Sequence, residues 1–213
     1  MAGAWEILNH TQVLVVILTR EIVTTAWSVG FRNLQIPGTF TFLTGMPFDH
    51  ARNTGCLKTL ENDFEWLFFL DDDTIPPADA IYKLMSHKKP IVSGLYYRRH
   101  PPICPVMLKE VGGDKKWITE FNVPELIEVD YVGTGCMLIH KDVLKNVPQP
   151  WFEWKVDRYD LPANQRMSED FSFCQKARQT GYKIYVDTSV QCRHMGLGES
   201  RVGGHFVPGE LIV

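Results

Sequence analysis

The chain has 213 residues, of which 45% are hydrophobic and 22% charged, and its formal net charge is −3. This composition supports one domain with a sizeable core and excludes a globally disordered chain. It also excludes a strongly basic protein of the kind that binds nucleic acid without sequence preference.

The first half of the chain alternates apolar strands with helices. Residues 13–18 are apolar without interruption, which is typical of a strand buried on both faces of a parallel sheet. The other elements predicted for this half are helices over 21–31, 49–61 and 78–87 and strands over 39–44, 66–70 and 90–94. This order predicts a doubly wound α/β arrangement. The helix over 49–61 is expected to pack inward through Asn53, Cys56, Leu57 and Leu60.

The second half is richer in proline, glycine and aromatic residues. Its predicted elements are strands over 126–131, 136–139 and 183–186 and a helix over 168–180 that ends before Gly181. No linker or internal repeat divides the chain, so these elements are expected to extend the same sheet. We predict one domain over residues 1–196, followed by a flexible tail or lid over 197–213.

The strongest candidate for chemistry is Asp71-Asp72-Asp73, directly after the strand over 66–70. Ligands of open α/β sheets bind at the carboxyl ends of the strands. Three adjacent carboxylates raise one another's pKa, and a bound Mg²⁺ or Mn²⁺ would relieve that repulsion while also holding a diphosphate. The plain alternative is an acidic turn with solvated carboxylates. A third interpretation, the phospho-acceptor loop of a response-regulator receiver, lacks the acidic pair that should follow the first strand.

A second candidate is Ser168-Glu169-Asp170, at the start of the helix over 168–180. Ser168 suits an N-cap and the helix dipole favours early carboxylates, which alone would explain the pattern. Asp170, however, lies on the apolar helix face that is expected to pack inward. Partial burial moves the pKa of a carboxyl toward the working pH, so Asp170 is a candidate general base. Glu169, about 100° around the helix, is a candidate for positioning a substrate hydroxyl.

Three further signals are weaker when each is taken alone. His194 is a candidate ligand for a transition metal, with His205 as a competitor for that role, although a lone histidine is more often structural. Arg52 lies in the first turn of a helix, where an anionic partner such as a phosphate would offset its unfavourable interaction with the helix dipole; the alternative is a surface arginine. The glycines of Gly133-Thr134-Gly135-Cys136 permit close backbone approach to a ligand, without the lysine of a Walker loop.

Cysteine usage and the N-terminal segment bear on the compartment. The five cysteines are odd in number and include no C-x-x-C pair, so neither a disulfide framework nor a zinc ribbon is expected. The apolar run over 13–18 is too short for a membrane span and follows no basic signal-peptide region. We therefore predict a cytoplasmic protein with buried, reduced thiols and no membrane span.

Together, the aspartate triplet after a strand, the Gly-x-Gly sequence at 133–135, the Glu-Asp pair and His194 resemble the GT-A glycosyltransferases related to the inverting glycosyltransferase family 2. The resemblance covers roughly residues 13–196 and is greatest to compact microbial or phage-type members. It implies a GT-A fold, with a mainly parallel central sheet flanked by helices in one domain. The first strand departs from the family pattern, because it ends in Leu18-Thr19-Arg20-Glu21 without a proline-containing turn.

The resemblance also implies a role for each candidate residue. Asp170 would be the catalytic base, and Asp73 and His194 would be ligands of Mn²⁺ or Mg²⁺. The residues implied to bind the nucleotide-sugar or line its pocket are Thr19, Glu21, Arg52, Asp71, Asp72, Gly135, Cys136 and Glu169.

The implied reaction transfers a sugar from a nucleotide-diphosphate sugar, with a UDP-sugar favoured, to an acceptor hydroxyl with inversion. The acceptor would be a carbohydrate or a hydroxymethylated nucleic acid base, the latter because Arg98-Arg99-His100 and Lys115-Lys116 are candidates for a basic lip. Two alternatives stay open. A non-catalytic nucleotide- or sugar-binding module would not need Asp170, and a sugar nucleotidylyltransferase would need a glycine-rich basic loop after the first strand.

Overall fold

A computed structural model describes residues 13–99, 101–155, 167–195, 205–207 and 210–212. The helices are α1 (Thr25–Asn33), α2 (Phe48–Glu61), α3 (Ala80–Ser86), α4 (Lys141–Asn146) and α5 (Glu169–Gln179). The first strands are β1 (Val13–Thr19), β2 (Gly38–Thr44), β3 (Trp66–Asp71), β4 (Thr74–Ile75), β5 (Ile91–Leu95), β6 (Met107–Val111) and β7 (Asp114–Trp117). They are followed by β8 (Leu126–Val129), β9 (Tyr131–Val132), β10 (Cys136–His140), β11 (Ile184–Gln191), β12 (Arg193–His194), β13 (His205–Val207) and β14 (Glu210–Ile212).

A seven-stranded sheet lies at the centre, in the order β2-β1-β3-β10-β5-β11-β8. Strands β2, β1, β3, β5 and β11 run in one direction, and β10 and β8 run in the other. The predicted mainly parallel α/β sheet flanked by helices is therefore confirmed. The position of β10 was not predicted: it lies antiparallel between β3 and β5, with Leu138 opposite both Phe68 and Val92.

The hydrophobic core has two layers, one on each face of the sheet. Leu14, Val16 and Leu18 of β1 point to the face that packs against α2, α4 and α5, whereas Val13, Val15 and Ile17 point to the face covered by α1 and α3. Because both faces are covered, every residue from 13 to 18 is buried. This explains why the first strand is apolar without alternation.

Two helices differ from their prediction. Helix α1 begins at Thr25 rather than at residue 21, because the Thr24 hydroxyl accepts a hydrogen bond from the Trp27 N–H at 3.1 Å and caps the helix. Helix α2 buries only part of the predicted face: Cys56 is buried and Leu60 packs against the core, but Leu57 is 42% exposed. Its buried residues are Ala51, Arg52, Gly55, Cys56 and Thr59. A Cβ at Gly55 would lie 3.0 Å from the Phe69 ring, so the glycine is what brings the helix close to the sheet.

The second half contains a small additional sheet in the order β7-β6-β9. Its β6–β7 hairpin was not predicted and turns through Gly112 and Gly113, both at positive φ. The strand predicted over 126–131 is divided between β8, in the central sheet, and β9, in the small one. These elements extend a single domain, as expected.

Several other predictions concern the whole chain. All five cysteines are free and buried. Among the described residues, no helix has the length and apolar character needed to cross a bilayer. Of the segment predicted as a tail or lid over 197–213, only the antiparallel pair of β13 and β14 lies within the described residues, so its role stays a prediction. The side chain of His205 lies outside what the structure describes.

Candidate active site

The candidate site lies at the end of the central sheet where strands β1, β3 and β5 end and β10 begins. At the end of β3, the Asp71 N–H donates to the carbonyl of Gly135 at 3.1 Å. The Trp27 indole Nε1–H donates to the Asp71 carbonyl at 2.9 Å. The first aspartate of the triplet is therefore fixed by backbone contacts from two directions.

Asp73 and His194 lie side by side, although 120 positions separate them in the sequence. The antiparallel pairing of β4 and β12 places His194 opposite Thr74, and the Met195 N–H donates to the Asp73 carbonyl at 2.7 Å. The resulting distance between His194 Nε2 and Asp73 Oδ1 is 3.4 Å. The structure thus brings together the two residues that were predicted to bind a metal.

The other ring nitrogen of His194 determines what the imidazole offers to Asp73. Nδ1 lies 2.7 Å from the carbonyl oxygen of Tyr97, which can only accept, so Nδ1 carries a proton. In the neutral ring, Nε2 then presents a lone pair toward the Asp73 carboxylate. A cation bound between these two electron-rich atoms would be held by both of them.

Arg99 provides a positive charge beside Asp73. Its Nη1 lies 2.7 Å from Asp73 Oδ2, on the carboxylate oxygen that does not face His194. Burial alone would raise the pKa of Asp73, but the contacts with His194 and Arg99 lower it overall. Asp73 is therefore ionised at neutral pH. Among the described residues, no group of three or more His, Cys, Asp or Glu side chains is arranged to hold a metal ion.

Arg52 lies beneath the cavity and is only 3% exposed. Its Nη2 is 3.1 Å from Asp71 Oδ1, and its Nε is 3.5 Å from Glu169 Oε1. The guanidinium carbon lies 5.2 Å from the centre of the Phe69 ring. Burial would lower the pKa of Arg52, but the charges of Asp71, Glu169 and Asp170 raise it. The anionic partners that Arg52 meets in the structure are carboxylates of the site itself, and its contact with a nucleotide stays a prediction.

Glu169 and Asp170 form an acidic pair at the start of α5. Burial, followed by the charge of Asp170, raises the pKa of Glu169 to about 7. Burial also raises the pKa of Asp170, against hydrogen bonds from Ser168 and from the Phe171 N–H that lower it. Ser168 occupies the N-cap position, but its hydroxyl donates to Asp170 Oδ1 instead of capping the backbone.

These groups line one open cavity of about 380 Å³. Its lining includes the whole aspartate triplet, both carboxylates of the acidic pair, His194 and Arg52. The rim carries three further arginines and an exposed aromatic ring, namely Arg20, Arg98, Arg99 and Phe48. This one cavity offers complementary side chains to a divalent cation, to an anionic diphosphate and to a hydroxyl group that gives its proton to a base.

A second cavity of about 270 Å³ adjoins the first and shares Arg20 and Phe48 with it. Thr19 and Glu21 line this second cavity, so the structure places them next to the larger cavity that contains Asp73 and His194, but not in it. Glu21 has a φ of +80°, an uncommon conformation for a residue other than glycine. Asp72 faces the same side, because its Oδ2 accepts a hydrogen bond from the Arg20 N–H at 3.2 Å.

The Gly-Thr-Gly sequence packs against a residue that sequence reasoning missed, Tyr96. The Gly135 N–H donates to the Tyr96 hydroxyl at 3.1 Å, and a Cβ at Gly133 would lie 2.1 Å from that oxygen. The close approach predicted for these glycines is therefore first of all to a tyrosine side chain. Thr134 lines the larger cavity, whereas Cys136 is fully buried and does not line it. Any contact of Cys136 with a ligand would have to be through its backbone.

Tyr96, Arg99 and Thr134 are among the site residues that were not predicted for this cluster. The sequence contained a positional signal for the first, since Tyr96 comes two residues after the strand predicted over 90–94, where ligands of such sheets bind. Arg99 had been noted only as part of a basic lip. Its pairing with Asp73 depends on a tertiary contact between residues 26 positions apart.

Comparison with known proteins adds information about the fold. No protein-family model matches the sequence, and no curated protein matches it either. Among solved structures, A197 from STIV matches with a TM-score of 0.62 at 19% identity, over 86% of this chain and 85% of that one. GalNAc-T7, solved with UDP, GalNAc and Mn2+, matches with a TM-score of 0.55 at 13% identity, over 88% of this chain and 44% of that one. Apo UDP-glucose pyrophosphorylase matches with a TM-score of 0.40 at 8% identity over 83% and 73%, which is too low to support an argument.

The similarities to A197 and GalNAc-T7 confirm the predicted GT-A architecture at the level of the fold. The chain spans less than half of the GalNAc-T7 chain that it matches. At such low identity the comparison shows a shared fold and leaves activity, donor and acceptor to be argued from the site.

Proposed function

We propose that the chain is a metal-dependent glycosyltransferase, related to the inverting family 2, that uses a nucleotide-diphosphate sugar. The observation that carries the proposal is that Asp73, His194 and Asp170 line one cavity at the carboxyl edge of the sheet. These residues come from three distant parts of the sequence, and each has a distinct chemical use there. A surface acidic turn would not bring an imidazole and a second carboxylate pair to the same cavity.

Asp73 and His194 are the residues proposed to hold Mn²⁺ or Mg²⁺. Their donor set fits, because an ionised carboxylate and a histidine with its other nitrogen bonded to a carbonyl are typical metal ligands. Two protein ligands are also enough for a cation that completes its coordination with substrate phosphates and water. When bound, the ion would supply a positive charge to a leaving diphosphate.

The donor is proposed to extend from the larger cavity into the smaller one. The nucleobase would occupy the smaller cavity beside Thr19 and Glu21, with Asp71 and Asp72 toward the ribose. Arg20 lies between the two cavities, where a guanidinium can bind phosphate oxygens. Gly135 is adjacent to Asp71 and would border the donor sugar. A UDP-sugar remains the favoured donor.

Asp170 is proposed to be the general base. Its carboxylate would accept the proton of an acceptor hydroxyl as that oxygen bonds to the anomeric carbon and the bond from that carbon to the diphosphate breaks. Burial raises its pKa, which makes it a better proton acceptor than an ordinary aspartate. Glu169, ion-paired with Arg52, would orient the hydroxyl rather than take its proton.

The isosteric substitution Asp170→Asn tests the proposal. We expect turnover of a UDP-sugar with Mn²⁺ to fall by about 10²–10⁴-fold, the usual contribution of a general base. Binding of UDP and Mn²⁺, measured as a rise in melting temperature, should be retained, because Asp170 is not a proposed ligand of either. Asp142→Asn on α4 is the matched control, since this carboxylate is exposed and outside both cavities.

Other outcomes separate the alternatives. Equal turnover in the native chain and Asp170→Asn would remove Asp170 from the mechanism. Nucleotide binding without turnover of any donor would favour a non-catalytic binding module. Release of pyrophosphate from a sugar phosphate and a nucleoside triphosphate would indicate a nucleotidylyltransferase, although β1 ends in Thr19-Arg20-Glu21 without glycines.

The acceptor is proposed to be a carbohydrate or a hydroxymethylated nucleic acid base. Arg98 and Arg99 line the cavity rim and would meet an anionic acceptor, whereas Lys115 and Lys116 do not line it. Acceptor binding that weakens steeply as salt is raised would support the nucleic acid. Binding that is independent of salt would support an uncharged carbohydrate.

A further inference from the structure

Strand β2 is the outermost strand on one side of the described central sheet. It pairs with β1 along its whole length on one side, and within the described ranges no strand pairs with its other side. From Gly38 to Thr44 it contains no charged residue and no proline. Proteins usually protect an edge strand with charges, prolines or bulges, because its free N–H and C=O groups pair readily with another chain.

The same edge carries an exposed aromatic surface. Phe40 is 50% exposed and Phe42 is 43% exposed, and both point to the face covered by α1. Their rings lie 5.9 Å apart and contact Phe31 edge-to-face at 5.2 and 5.9 Å. Aromatic side chains of this size are enriched at protein interfaces, where they gain buried apolar area.

The strand is complementary to a second copy of itself. In an antiparallel pairing centred on Thr41, Phe40 of one copy lies opposite Phe42 of the other, and two-fold symmetry repeats the pair. Shifting the register by two residues in either direction leaves one phenylalanine of each copy opposite Gly38 or Thr44. Aromatic cross-strand pairs stabilise antiparallel strands, so one register is preferred over its neighbours.

We propose that two copies of the chain form a symmetric dimer by antiparallel pairing of β2 with its counterpart. The two seven-stranded sheets would then become one continuous sheet, with the aromatic surfaces of both copies joined across the axis. Because the strands at the junction run in opposite directions, the carboxyl ends of the two sets of strands, and with them the two cavities, lie at opposite ends of the joined sheet. The proposal does not depend on the proposed function.

Sedimentation equilibrium of the full chain tests the association. We expect a mass of twice the 24.4 kDa of one chain. The double substitution Phe40→Lys and Phe42→Lys should give the single-chain mass, because it places like charges opposite each other in the pairing. Tyr82→Lys on α3 is the matched control: it removes an aromatic ring that is 49% exposed elsewhere, and the dimer should persist.

A mixture of oppositely charged variants distinguishes loss of association from loss of folding. Mixing the double lysine chain with a chain carrying Phe40→Glu and Phe42→Glu should restore the dimeric mass, since opposite charges then face each other. Failure of the mixture to associate, when each chain alone keeps its native circular dichroism, would overturn the proposal. A single-chain mass for the unsubstituted protein would also overturn it.

Disulfide trapping tests the register directly. In the proposed pairing Thr41 lies opposite Thr41 of the other copy, so Thr41→Cys should form a covalent dimer on mild oxidation. Thr39→Cys should not, because its counterpart lies four residues along the strand, about 13 Å away. The native cysteines are all buried and give little background. Equal trapping at both positions, or trapping at neither while the mass is dimeric, would refute this interface.

Discussion

Arg52 balances the charges of the candidate site. One buried guanidinium faces Asp71 and Glu169 and stabilises the ionised form of Asp170 from a greater distance. Removing one partner of a buried ion pair leaves uncompensated charge in a poorly solvated place, which costs about 3–5 kcal/mol. Glu169 and Asp170 would avoid that cost by taking up protons.

We therefore predict that Arg52→Gln lowers the free energy of unfolding by about 3–5 kcal/mol at pH about 8 and by less at pH about 5.5. A carboxyl whose pKa is higher in the folded chain contributes stability below its unfolded pKa, and loses it as pH rises through the folded value. Without Arg52 the pKa of Glu169, already about 7, would rise further. Urea unfolding at both pH values provides the measurement. Arg32→Gln at the exposed end of α1 is the control, and equal losses at both pH values would contradict the explanation.

Two neighbouring aspartates should differ in their effect on metal binding. Asp73→Asn is expected to weaken Mn²⁺ binding in the presence of UDP by more than about tenfold, since even residues one shell further from a metal contribute that much. Asp72→Asn should change it little, because Asp72 bonds to the Arg20 backbone and not to His194. Electron paramagnetic resonance of free Mn²⁺ distinguishes them. Equal weakening by both substitutions would argue for a site shared by the whole triplet.

Sequence reasoning identified most residues of the site but not their partners. The Asp73–His194 pair followed from the family resemblance, and Asp170 followed from a helix face. The burial of Arg52 was not predicted. The face of α2 that contains Gly55 packs against the sheet, and a search for apolar residues at helical spacing does not count glycine. Tyr96 was missed because its only signal was its position after a strand, and no motif marked its side chain.

At the level of elements, the turn over 133–135 depends on Tyr96. A methyl group at Gly133 would overlap the tyrosine hydroxyl, so Gly133→Ala is predicted to destabilise the chain by about 1–3 kcal/mol, as overpacking commonly does. Tyr96→Phe removes that oxygen but also the acceptor of the Gly135 N–H. The double mutant should lose less unfolding free energy than the sum of the losses in the two single mutants. Urea unfolding of all three variants measures this coupling. Strict additivity would show that the overlap is relieved elsewhere.

The elements predicted best are those with a strong local pattern. The strands β1, β3 and β5 and the helix α5 lie within two residues of their predicted bounds. The β6–β7 hairpin was missed, because its exposed strand Asp114–Trp117 carries lysines and has no apolar alternation. The antiparallel direction of β10 was not predicted either, since a buried apolar strand reads the same in both directions.

For the whole molecule, the two core layers share one set of strands. A strand such as β1 contributes alternate residues to both layers, so loss of one layer exposes the other. We predict a single cooperative unfolding transition, in which tryptophan fluorescence and far-ultraviolet circular dichroism coincide. Trp151 reports from one layer and Trp27 from the other. Different unfolding midpoints by fluorescence and by circular dichroism would mean that the layers unfold independently.

The placement of β10 has a consequence for how the protein is made. Strands β3 and β5 leave the ribosome early, yet a strand from beyond residue 135 must insert between them before the sheet is continuous. Until then the backbone groups of β3 on the side that pairs with β10 lack their partners and can pair with other chains. Nascent-chain folding is therefore delayed until most of the polypeptide has been synthesised, and the aspartate triplet gains its surroundings only at the end.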